Sequence, residues 1–372
     1  MISILDTTYR EGKQSYLGNI LPDSLVSYAR LLEKLNIKYM EVGYPFTSDV
    51  YLREFRKLLK EKKDIKVCVH SALNIINFKK LIDEGVVSID ASIKFNELTE
   101  DTVNNKISEI RQISSQTSLL SETLVLRIGI EGAFKLPENL LLSFCNGIVG
   151  IKNITRISLS DTDGLATPEM INKTLKNIDN LLPKNIALGL HLHNDCNLAN
   201  ANLYEAYSLF RDDLRELVID ATMGGIGERN GITSIGDIFS LLYFNNMDLL
   251  NKSYFAKYYA EIYEYVFKEQ TFNRDPLNPT SFSHSSGLHI SKFIETGAYQ
   301  SIDPKMFGYK TKLIFNDFTS GDAIRALLKN RLNIDINKET ASSFASVVRN
   351  LSAEEKLNFN ENQVLQILKD YL

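Results

Sequence analysis

Histidine is scarce in this chain, five in 372 residues, and two of the five stand two positions apart in HLHND, as His191 and His193. A β-strand repeats every two residues, so both imidazoles fall on one face, about 6 to 7 Å apart at the backbone and able to share a metal ion. A third ligand is available near the N-terminus, where the apolar run ISIL ends in DTTYREGKQ and supplies Asp6, Arg10 and Glu11. Two imidazoles and one carboxylate, Glu11 or Asp6, leave coordination positions open and suit Mg²⁺, Mn²⁺, Zn²⁺ or Fe²⁺. Arg10 would add a fixed cation where negative charge could develop. Neighbouring Arg and Glu residues are more often solvated surface charge, so the elements that position them must decide.

Those elements alternate. Short β-rich runs at 3–8, 39–44, 66–72, 88–95, 123–132, 156–164, 187–195 and 216–225 are separated by segments with apolar residues at helical spacing, such as LVSYARLLEKL at 25–35. Helix starts are marked by Pro22-Asp23-Ser24, Thr167-Pro168-Glu169 and Thr233-Ser234. Eight such units predict an α/β protein, a (β/α)₈ TIM barrel, rather than a doubly wound sheet. After about Asn246 the strand rhythm stops. We therefore expect a catalytic barrel over 1–255 and a mainly helical C-terminal region over 256–372, interrupted by the linker NRDPLNPTSFSHSSG at 273–287. Barrel sites gather at the C-terminal ends of the strands. That rule nominates Glu41, His70, Asp90, Arg127 and Thr162 beside Asp6, Arg10, Glu11 and the two histidines.

The composition narrows the partners. A net charge of -4 without a Lys/Arg-rich run gives no basic field for nucleic acid. No apolar stretch reaches the roughly 18 to 20 residues that span a bilayer, and MISILDTTYR enters a strand at once, so a cytoplasmic protein acting on small molecules is expected. Cys68, Cys145 and Cys196 are odd in number and scattered, which fits reduced core thiols better than disulfides or zinc.

A strand-seven HxH with a strand-one Arg-acid pair resembles the DRE-TIM metallolyase family. LDTTYREGKQ is similar to that family's opening, HLHND to its metal-binding HxHND, and MGGIGERNGITSIG at 223–236 to its glycine-rich loop. Within the family the chain looks like the homocitrate synthase and 2-isopropylmalate synthase group, and the homocitrate type by REG, by GERNGIT with Ile232 in place of an Asn ligand, and by the tail FSHSSGLHISKF…AYQSIDPKMFG. The loop has no cysteine, unlike the hydroxymethylglutaryl-CoA lyases of the same family.

The resemblance implies metal ligation by Glu11, His191 and His193, with acetyl-CoA as co-substrate. It implies Arg10 beside the reacting carbonyl; Gln14, Glu41, His70, Asp90 and Thr162 in direct or supporting contact with substrate; and Arg127 on the distal carboxylate of 2-oxoglutarate. It also implies a homodimer in which His289 and Tyr299 of the tail serve a barrel, usually the partner's, as acid or base. Other oxo acids, oxaloacetate or 2-oxoisovalerate, are the alternatives, followed by an inactive or regulatory scaffold. Three departures bear on the choice: Gly189 where the homocitrate type has Glu, Gly129 where it has Ser, and Lys13 where it has Glu.

Overall fold

Eight parallel strands close into a barrel in chain order: β1 (Ile2–Asp6), β2 (Tyr39–Val42), β3 (Lys66–Ala72), β4 (Ser88–Ile93), β5 (Val125–Ile130), β6 (Ile154–Asp161), β7 (Ala187–Leu192) and β8 (Leu217–Ala221), with β8 pairing back onto β1. The computed structural model describes residues 2–15, 24–61, 64–245, 256–268 and 275–371. Helices α1 (Leu25–Lys34), α2 (Asp49–Lys60), α3 (Ile75–Asp83), α4 (Glu100–Leu120), α5 (Glu138–Ile148), α6 (Pro168–Leu181), α7 (Ala199–Phe210) and α8 (Ile235–Phe244) each follow the strand of the same number. None of the described helices is long and apolar enough to cross a membrane.

The helix starts have the chemistry their sequences suggest. The side chains of Ser24 and Thr167 accept from the backbone amides of Ser27 and Met170, and Ser234 forms a reciprocal capping box with Asp237. Pro22, Asp23 and Asn246 lie outside the described residues. The apolar faces of the helices pack on the outward side chains of the strands, for example Phe55 and Leu58 of α2, both fully buried.

The inside of the barrel is graded. Leu5, Cys68 and Val218 form a small apolar plug with Tyr39 and Ala187 packed against it, whereas towards the C-terminal ends the inward positions become acids, arginines and imidazoles. Cys145 is buried in α5, but Cys196 is exposed, against the expectation of a packed thiol. Strand β7 has already ended at Leu192, so Cys196 falls in the turn that leads to α7.

The chain divides into two compact units, Met1–Pro276 and Leu277–Leu372. The boundary expected at 255 lies outside the described residues. Helix Tyr259–Phe267 belongs to the first unit: Lys34 at the end of α1 pairs with Glu261 at 2.8 Å, and Phe239 of α8 packs edge-on against Tyr259. The second unit carries helices Gly287–Thr296, Gly321–Leu332, Lys338–Glu355 and Glu361–Leu368 around a core that includes Phe315, Leu327 and Val348. It also holds a three-stranded sheet of Ser283–His284, Lys312–Phe315 and Phe359–Asn360. Strands of two to four residues are too short to show a period of two, so they leave no mark in the sequence pattern.

Candidate metal centre and active site

Strand alternation delivers His191 and His193 to the barrel mouth, and the turn after β1 delivers Glu11. Hydrogen bonds from the Arg10 and Glu11 amides to the Thr7 carbonyl, at 3.0 and 2.8 Å, fold the chain back directly after the strand. The ligand atoms of Glu11, His191 and His193 lie within 4.8 Å of one another, and all three residues are buried. Asp6, the other carboxylate the sequence offers, faces away from them. It accepts from the Thr8 hydroxyl at 2.7 Å and from the Tyr28 hydroxyl of α1 at 2.8 Å, and so fixes the turn.

Burial pushes the Asp6 carboxyl up to about 7, against the downward pull of its Thr8 and Tyr28 hydrogen bonds. The folded protein holds this proton more tightly than the unfolded chain does. Its contribution to stability is therefore complete below about pH 4 and lost as pH rises through about 7. Asp6→Asn is expected to flatten the decline of Tm between about pH 5 and 8; melting curves that keep the wild-type slope would contradict it.

The triad suits a divalent cation. Nδ1 of His191 contacts Asp220 Oδ2 at 3.2 Å, which leaves Nε2 directed at Glu11 Oε2, 3.7 Å away. An outer carboxylate of this kind orients a metal-binding imidazole and selects its tautomer. Burial and the neighbouring His191 lower the pKa of His193 to about 4, so it is neutral at physiological pH, as a ligand must be. Its Nδ1 is buried without a hydrogen-bond partner, a rarity that calls for an explanation. The glycine-rich loop after β8 closes over Glu11: the Glu228 amide donates to Glu11 Oε1 at 3.1 Å, and a Cβ on Gly227 would approach that oxygen to 3.0 Å. Arg229 holds the loop from outside through Asp195, at 2.8 and 3.0 Å, and the Thr162 carbonyl, at 2.7 Å.

Beside the triad runs a relay of charges. Arg10 donates from Nη1 to Glu11 Oε2 at 2.5 Å and from Nε to Glu41 Oε2 at 3.0 Å, and Glu41 Oε1 meets His70 Nδ1 at 3.1 Å. Burial alone would raise the Glu41 carboxyl, but Arg10 and His70 hold it well below the usual carboxylate range. The guanidinium is thus fixed between two ionised acids, needing little rearrangement to face a new negative charge.

The model of the HMGL-like family matches residues 1–254, the whole barrel. The chain belongs to the HMGL-like family. This is the DRE-TIM grouping its motifs resemble. Cytosolic and mitochondrial homocitrate synthases of Saccharomyces cerevisiae are each 24% identical over 99% of the chain, covering 86% and 83% of their own lengths. A 2-isopropylmalate synthase of Saccharolobus solfataricus is 26% identical over 88% of the chain and 85% of its own length. Among solved structures, hydroxymethylglutaryl-CoA lyase from Pseudomonas aeruginosa superposes with a TM-score of 0.53 at 15% identity, over 72% of this chain and 93% of its own, a likeness of fold.

The family's other expected site residues separate into four groups. Glu41 and His70 join the relay. Gln14 is exposed and, with Arg10, Lys13, Tyr51 and His70, lines a cavity of about 490 Å³. Lys13, for which the sequence offers no role, sits over the Tyr51 ring at 4.4 Å and the Tyr9 ring at 5.6 Å, a cation–π arrangement.

Asp90, Thr162 and Arg127 spend their side chains on other partners. Asp90 is paired with Arg156 of β6 in the barrel interior, and Thr162 accepts from the Gly132 amide at 2.8 Å. Arg127 is the third residue of β5 rather than one of its last. Its guanidinium turns towards the N-terminal end of the barrel, bonding the Ser88 hydroxyl and lying 5.6 Å from the Tyr39 ring, and it makes no ion pair with Glu131 among the described residues. His289 and Tyr299 belong to the second unit, where their rings stack at 4.1 Å and 15° and Tyr299 takes a left-handed φ of 65°.

Sequence reading missed Asp220 and Arg156. Neither stands out within its own strand: Asp220 matters as the cross-strand partner of His191, and Arg156 once β6 is aligned against β7.

Proposed function

We propose that this protein is an acyltransferase that condenses acetyl-CoA with a 2-oxo acid, and that the oxo acid is 2-oxoglutarate, giving homocitrate. The observation that carries the reading is the buried Glu11, His191 and His193 triad with Arg10 fixed against it. The synthase relatives support it, as does a donor set that leaves positions open for a chelating substrate. A divalent metal held by these three residues would supply Lewis acidity to the keto group.

The protein's own groups do the rest. A base removes a proton from the acetyl methyl, whose carbon then bonds to the keto carbon while the keto oxygen takes up the electron pair. Arg10 offsets the charge growing on that oxygen, and Glu41 keeps the guanidinium aimed. Protonation of the oxygen and hydrolysis of the thioester by one water release CoA and the tricarboxylate. We assign the proton steps to His289 and Tyr299, on their match to the family's tail, in a homodimer.

CoA release from acetyl-CoA, followed with Mn²⁺ or Mg²⁺ against a panel of 2-oxo acids, tests this directly. Metal-dependent release with 2-oxoglutarate is expected. Turnover with 2-oxoisovalerate and none with 2-oxoglutarate would sink the homocitrate reading.

A further inference from the structure

One residue pair down the strands from His191, four neighbouring strands present only small groups to the barrel interior. Ser92 of β4, Gly129 of β5, Ser158 of β6 and Gly189 of β7 are successive cross-strand partners, and alternation puts them on the same face as Asp90, Arg127, Arg156 and His191. Gly129 is roomy: a Cβ built there would meet nothing nearer than 3.9 Å. Gly189 is not, since its Cβ would run into Ser158, whose own Cβ is 2.8 Å away and whose hydroxyl is closer still. The Ser158 side chain therefore leans over Gly189, two residues before the metal-site histidine.

Two polar atoms in this region have no hydrogen-bond partner although both are buried: Ser158 Oγ and Arg156 Nε. Each is a donor on the inward face of β6. In the row below, Arg156 pairs with Asp90 through Nη2, which leaves its Nε unclaimed, while Arg127 turns away to the Ser88 hydroxyl.

We infer that Ser158 and Arg156 hold the far end of the oxo acid, and that this end is a carboxylate. The inference rests on the condensation reading and deepens it, making Ser158 a specificity-determining residue. Two residues of strand span about 6 to 7 Å, a distance suited to the carbon chain of a short diacid whose keto group lies at the triad. A branched aliphatic oxo acid would leave both donors unpaired in a buried site, which selects strongly against it. The glycine at 189 is required by the same packing, since any side chain there would collide with Ser158 as it stands.

Ser158→Ala tests this better than a change at Arg156, whose removal would strand Asp90 as a buried unpaired charge. Full-length protein with saturating Mn²⁺ is titrated calorimetrically with 2-oxoglutarate and with 2-oxobutyrate, which lacks the distal carboxylate, and CD melting confirms the fold. The wild type is expected to prefer the diacid. The variant is expected to bind 2-oxoglutarate about 10- to 100-fold more weakly, the cost of a lost hydrogen bond to a charged group, and 2-oxobutyrate within about twofold of wild type. Equal losses for both acids, or no loss for either, would overturn the role of Ser158. A wild type that prefers 2-oxobutyrate overturns the carboxylate assignment, and 2-oxoglutarate as the substrate with it, but leaves condensation with a 2-oxo acid standing, whereas one that binds neither acid sinks the condensation reading as well.

Discussion

Glu11→Gln is expected to weaken Mn²⁺ binding by about 100-fold or more and to reduce CoA release to background while the barrel remains folded. Loss of an outer partner alone costs metal sites about 10- to 100-fold, and Glu11 is the only anionic ligand of the triad. The fold should survive because glutamine keeps the shape and an oxygen to accept from the Glu228 amide, and Arg10 retains Glu41 at 3.0 Å as a counter-charge. Titration of Mn²⁺ by electron paramagnetic resonance, with melting curves beside it, reads both halves. A folded variant with wild-type Mn²⁺ affinity would remove Glu11 from the metal centre and leave the two histidines without their carboxylate.

The parts of this site that were legible in the sequence share a cause. HLHND announces itself because a period of two is local, so the facing of His191 and His193 needs no knowledge of any other strand. The alternation of strand and helix is equally local, and with the rule that barrel sites sit at strand ends it places Arg10, Glu41 and His70 near them. What escaped was register. Whether Arg127 lies near the mouth or deeper depends on where β5 starts, and an element that begins at Val125 rather than 123 seats that side chain among Ser88 and Tyr39. Asp220 and Arg156 are ordinary strand residues until β8 and β6 are aligned against β7, which sets Asp220 beside His191 and Ser158 beside Gly189. The choice between Asp6 and Glu11 was likewise tertiary: Tyr28, more than twenty positions along the chain, takes one of the two out of the competition.

Arg10→Lys should separate charge stabilisation from metal binding. Lysine keeps the positive charge but cannot reach Glu11 and Glu41 together with the fixed fork of a guanidinium, so the cation would no longer be held where the keto oxygen gains charge. We expect kcat to fall by about 100- to 1000-fold, the usual scale for removing a preorganised donor at a developing oxyanion, with KM for the oxo acid changed by only a few-fold. Mn²⁺ affinity should not fall, because Arg10 is not a ligand. Its Nη1 now occupies Glu11 Oε2, the carboxylate oxygen nearest His191 Nε2, and a weaker hold on that oxygen frees it for the cation. If Mn²⁺ affinity instead drops in step with kcat, Arg10 acts by fixing the position of Glu11, and the charge on the developing oxyanion must be met elsewhere. The same comparison bears on Glu41, whose two oxygens tie Arg10 to His70: only under the first outcome does the relay serve to aim a cation at substrate.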